Sequence, residues 1–87
     1  MSPADHESHS TSDTARAALA KNMVRLRHEK SWSQEMLAFE SGLHRTFIAH
    51  VERGVRNPAL DNVERIARAL GVETFELLVP DAYRAKK

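Results

Sequence analysis

Apolar residues recur at helical spacing in five successive stretches, separated by short polar or glycine-bearing breaks. Ala15, Leu19, Met23 and Leu26 share one face of a segment from about Asp13 to Lys30, with Arg16, Lys21 and Arg25 mostly elsewhere, which predicts a first helix. Leu37 and Ala38 mark the inner face of a short second helix that opens at Gln34 and stops at Gly42. Ile48 and Val51, flanked by Phe47, do the same for a third, from His44 to about Arg53. Leu60, Val63, Ile66, Ala67 and Leu70 form the stripe of a fourth, which Gly71 ends. A short fifth, about Thr74 to Val79, carries Phe75, Leu77 and Leu78 ahead of Pro80. The expected fold is all-α, a compact five-helix bundle around one core.

The breaks carry their own chemistry. Ser33 is a natural N-cap for the second helix, and Trp32 before it can pack on Leu37 as a hydrophobic staple, although Met36 stands where a capping-box acid would. Gly42 sits at a sharp corner that calls for a residue without a Cβ. His44 takes the N-cap position of the third helix, where Ser, Thr, Asp or Asn is preferred; a neutral imidazole nitrogen there could accept the cap bond. Gly54 ends that helix, and Pro58 fits the entry to the fourth. Two helices at a steep angle across a short glycine-containing turn make a helix-turn-helix, whose second helix can enter the major groove of DNA.

From Asn22 to Leu78 the pattern resembles the phage-repressor (Cro-like, XRE) helix-turn-helix family. Gln34 opens the second helix, Ala38 and Gly42 follow at four-residue steps, then come Ile48 and Val51, ERG at Glu52 to Gly54 and RNP at Arg56 to Pro58. RTFIAHVERGVRNP looks most like restriction–modification controller proteins and related small regulators. The resemblance implies a lambda-repressor-like DNA-binding fold and pairs Arg27 with Glu52, tying the first helix to the end of the third. It also implies that the Gln34 side chain steadies the third helix.

On that reading the third helix is the reading head. Arg45 projects from its first turn and can make a bidentate contact to guanine. Thr46, Ala49, His50 and Arg53 face outward on a helical wheel: Thr46 can hydrogen-bond or offer a methyl to thymine, small Ala49 permits close approach, and His50 suits a base or a phosphate. His44, if protonated, could add a phosphate contact. Exposed amides at Gln34 suit a phosphate oxygen. Arg56 is placed to reach the DNA backbone or an adjacent minor groove, and Asn57 to bind phosphate or order its loop. Relatives that activate transcription often present an acidic second helix to RNA polymerase, so Glu35, Phe39 and Glu40 are candidates for such a contact; the competing reading is a solvated face with one stray aromatic. A six-residue fifth helix cannot hide its large apolar groups alone. Since related regulators dimerise through this end, Phe75, Leu78, Val79 and Tyr83 are the dimer-interface candidates, against a purely intramolecular role in the core.

Bulk properties narrow the class. Eighty-seven residues, 41% hydrophobic and 29% charged, suit one small domain. The chain has no cysteine, hence no disulfide and no thiolate metal site. It lacks an N-terminal apolar run or a membrane-length stretch, so a cytoplasmic location is expected. Net charge is only +1, but its distribution is uneven. Arg45, Arg53 and Arg56 face only Glu52 between Leu43 and Pro58, whereas Asp61, Glu64, Glu73 and Glu76 outweigh Arg65 and Arg68 beyond it. The domain is expected over residues 13–80, with a disordered tail at 1–12 and a mobile one at 81–87. His6 and His9 in the first tail make a poor metal site, so no metal and no cofactor is expected. No nucleophile stands beside a base, no Gly-rich phosphate loop is present, and His28 has no acid–base partner at a useful spacing, which argues against an enzyme. The sequence thus points to a homodimeric DNA-binding transcriptional regulator acting on a pseudo-palindromic operator. The alternative is an antitoxin or anti-regulator that mainly sequesters a protein partner.

Overall fold

The computed structural model describes residues 14–81; the expected tail at 1–12, His6, His9, Tyr83 and most of the segment 81–87 lie outside them. Among the described residues five helices follow one another: α1 Ala15–Glu29, α2 Gln34–Ser41, α3 Arg45–Glu52, α4 Leu60–Leu70 and α5 Thr74–Leu77. Thr14 caps α1, its hydroxyl accepting the Ala17 N–H at 3.1 Å. Ser33 does the same for α2 through the Met36 N–H at 3.0 Å.

α1 to α4 all end in the same reversal, in which an amide just past the helix donates to a carbonyl five residues back. Trp32 donates to Arg27, Leu43 to Ala38, Val55 to His50 and Val72 to Ala67, all at 3.0–3.1 Å. The residue before each donor must then be left-handed. Three of the four are glycine, including Gly42 at φ 73°, and the fourth is Ser31 at φ 59°. This motif makes the chain turn within two residues of each helix, so short helices can fold back onto one another.

Every helix contributes to the single core. Leu19 and Met23 come from α1, Leu37 and Ala38 from α2, Ile48 and Val51 from α3, Val63, Ile66, Ala67 and Leu70 from α4, and Leu77 from α5. Leu26, Trp32, Leu43, Phe47 and Leu78 pack on its edge. Two expected stripe positions miss it. Ala15 is exposed and Leu60 is 71% exposed. Each is the first residue of its helix, one turn short of where the neighbouring elements begin to cover it, and both line a shallow groove with Pro58 and Leu78.

Asn22 is the converse case, a polar residue buried in α1. Its amide nitrogen lies 2.8 Å from Leu77 O, 3.0 Å from Val79 O and 3.3 Å from Glu76 O. The Glu76 and Leu77 carbonyls belong to the last turn of α5, where an α-helix supplies no donor of its own. Their capture by Asn22 accompanies the stop at Leu77 rather than the expected Val79, and it fastens α5 to α1.

Left-handed backbone costs an L side chain roughly 1–2 kcal/mol, part of which glycine returns through the greater freedom of its unfolded chain. Ser31→Gly is therefore expected to stabilise the fold by about 0.5–1 kcal/mol, raising the melting midpoint by roughly 3–6 °C in calorimetry. An unchanged or lowered midpoint would contradict this reading of Ser31.

Candidate nucleic-acid interface

α2, the Gly42 corner and α3 form the expected helix-turn-helix. Trp32 packs half-buried on the core ahead of α2, with Lys30 Nζ 5.0 Å above its ring. α3 begins at Arg45, with His44 as its N-cap residue in extended conformation. The cap bond expected of the imidazole is not made: His44 is exposed and only its backbone carbonyl serves the helix, accepting from Ile48. Capping needs a short acceptor folded back over the first turn, which the ring does not supply here.

The far end of α3 is held by a charge buried among three helices. Arg27 of α1 meets Glu52 of α3 in a two-pronged contact, Nε to Oε2 at 2.8 Å and Nη2 to Oε1 at 2.9 Å. Its remaining Nη1 donates to the Trp32 carbonyl at 2.9 Å. Gln34 of α2 adds a third donor to Glu52, Nε2 to Oε1 at 2.9 Å. The two charged side chains are only 11% and 4% exposed. The Gln34 side-chain amide therefore spends a donor on α3, as the family likeness implies.

This arrangement sets the electrostatics of the outward face. Glu52, the acid in this stretch, is neutralised from inside. Among the described residues the other salt bridge is Arg25–Glu29, on α1. Arg45 and Arg53 are exposed and have no acidic partner among the described residues, beside exposed Thr46 and half-buried Ala49 and His50. Arg56, in the loop after α3, is exposed and lies over the Phe47 ring, its guanidinium carbon 5.4 Å from the centroid. Asn57 is also exposed, at the rim of the groove containing Pro58 and Leu60. The result is a cationic surface around a helix whose outer side is small and polar.

The other candidate surfaces differ. On α2, Glu35 and Glu40 are exposed and Phe39 is 79% exposed. The patch is not simply acidic, because Arg65 and Arg68 of α4 share a cleft of about 570 Å³ with Phe39 and Glu40. Arg65 also reaches the Gly42 carbonyl at 3.4 Å. Phe75 of α5 is 65% exposed, while Leu78 and Val79 just beyond the helix are half-buried and Leu78 packs partly on the core. Among the described residues no helix is long and apolar enough to cross a membrane.

Three contributors escape sequence reasoning: Asn22, the ring of Phe47, and the arginines of α4 beside α2. Asn22 alone left a usable signal, since it stands at inner-face spacing between Leu19 and Leu26.

The helix-turn-helix family model matches residues 23–77. The chain belongs to the XRE-type helix-turn-helix family. It is 51% identical over 71 residues to a hypothetical transcription factor of Neisseria meningitidis serogroup B, covering 82% of this chain and 67% of that one. To control protein C.BamHI of Bacillus amyloliquefaciens it is 50% identical over 64 residues, covering 72% and 79%. The crystal structure of the hypothetical transcription factor NHTF from Neisseria superposes with a TM-score of 0.83 at 47% identity, covering 88% of each chain. The restriction–modification controller protein C.Esp1396I, solved as a tetramer in complex with its natural 35 base-pair operator, matches with a TM-score of 0.68 at 33% identity over 80% of this chain and 92% of that one.

Removing one partner of a buried ion pair strands the other charge, at about 3–5 kcal/mol, whereas an apolar replacement of both can be near neutral. Arg27→Met alone is expected to destabilise by about that amount in urea unfolding, and Arg27→Met with Glu52→Leu to recover most of it. A double variant no more stable than the single one would mean that the charges themselves hold α3.

Proposed function

We propose that this helix-turn-helix protein is a sequence-specific transcriptional regulator that binds a pseudo-palindromic operator as a homodimer, in the manner of a restriction–modification controller. The observation that carries this is the cationic surface of Arg45, Arg53 and Arg56 around α3, which has no acidic partner among the described residues while Arg27 holds Glu52. Two copies related by a two-fold axis would set their α3 helices in successive major-groove turns, about 34 Å apart. In this reading Arg45 and Thr46 discriminate bases, and Ala49 allows close approach. His44, His50, Arg53, Arg56, Asn57 and the α2 start at Gln34 set the register on the backbone. Exposed Phe75, with Leu78, Val79 and Tyr83, forms the face that meets the second copy. The controller relatives and the free outer side of α3 favour this over a protein whose main task is to sequester another.

Such a regulator acts on DNA in the cytoplasm without catalysis or a cofactor. A contact with RNA polymerase would fall on Glu35, Phe39 and Glu40, with Arg65 and Arg68 at its border.

The roles separate by experiment. Arg45→Ala should lose about 1–3 kcal/mol of operator binding and relax the preference at one base position. Arg56→Ala should weaken all duplexes alike and lower the slope of log affinity against log salt by about 1. Both are read by fluorescence anisotropy on an operator and its single-base variants. If Arg45→Ala left the ranking of those variants unaltered, the base-reading role of Arg45 would be wrong.

A further inference from the structure

We infer that Phe47 is a positioning residue, whose ring holds Arg56 in place for a DNA phosphate or groove edge. This rests on the operator-binding reading above. Phe47 lies in α3, half-buried against the core edge, so its ring is fixed by packing. Arg56 belongs to the irregular segment between α3 and α4, and is exposed. The turn closing α3, with Gly54 donating to Val51 at 3.0 Å and Val55 to His50 at 3.1 Å, brings the chain back along its own helix. That return sets the Arg56 guanidinium carbon 5.4 Å from the Phe47 centroid.

The choice of anchor matters. A carboxylate would hold a guanidinium equally well, but would occupy its N–H groups and cancel its charge. An aromatic face engages the cation and leaves all five in-plane donors available for an oxygen ligand. Nor does Glu52 compete, since its oxygens already accept from Arg27 and Gln34. An arginine with no acidic partner among the described residues is thus restricted in its rotamers beside the helix that carries Arg45 and Arg53.

Phe47→Leu keeps an apolar group at the core edge while removing the ring face. In the free protein, the Arg56 side-chain resonances should show ring-current shifts that vanish in Phe47→Leu, with the amide spectrum of the core retained. In operator binding, Phe47→Leu should lose about 3–10-fold in affinity. The double variant with Arg56→Ala should bind no more weakly than Arg56→Ala alone, because the ring then has nothing to hold. Absent ring-current shifts, or single-variant losses that multiply in the double variant, would overturn the positioning role while leaving the regulator reading intact. A wild-type protein that bound no duplex would overturn both.

Discussion

One carboxylate organises the helix-turn-helix half of this protein. Glu52 comes from α3, its counter-charge Arg27 from α1 and its third donor Gln34 from α2. A buried charge is tolerable only with its partners in place, so no one of these helices can shift without exposing an unmet cost. The same contact withdraws the acid from the outward field. Orientation and charge of the candidate reading surface therefore follow from a single interaction.

Around that point the fold is assembled from helices too short to persist alone. α2 and α3 have eight residues each, well below the length at which an isolated helix is stable in water. Their stability comes from the apolar residues they deliver to the shared core and from the tight reversals that place them there. At the other end Asn22 does for α5 what Glu52 does for α3: a polar group from one helix is satisfied by another, and the joint becomes specific. α5 carries the exposed Phe75, so that joint also sets the angle at which the proposed dimer face is presented.

The order and approximate extent of all five helices were legible in the chain, because apolar spacing and glycine stops are local signals. What local signals could not give were the tertiary relations. Arg27 and Glu52 are 25 residues apart, and their pairing was readable only through the family likeness. Ala15 and Leu60 keep the helical period yet stand beyond the reach of covering elements, which periodicity does not register. The cap expected of His44 is not made, because an imidazole is not the short acceptor that folds back over a first turn. Arg65 and Arg68 reach the patch on α2 only because α4 packs beside it.

If α3 is one half of a paired reading head, its own choice of DNA should reveal both the reading and the pairing. The direct measurement is selection of bound duplexes from a random pool by the purified protein, followed by sequencing. Enriched duplexes should carry two inverted copies of one short element, centred about 10–10.5 base pairs or a multiple apart. A pool that emerges without sequence enrichment, or with single unpaired elements only, would contradict the proposal.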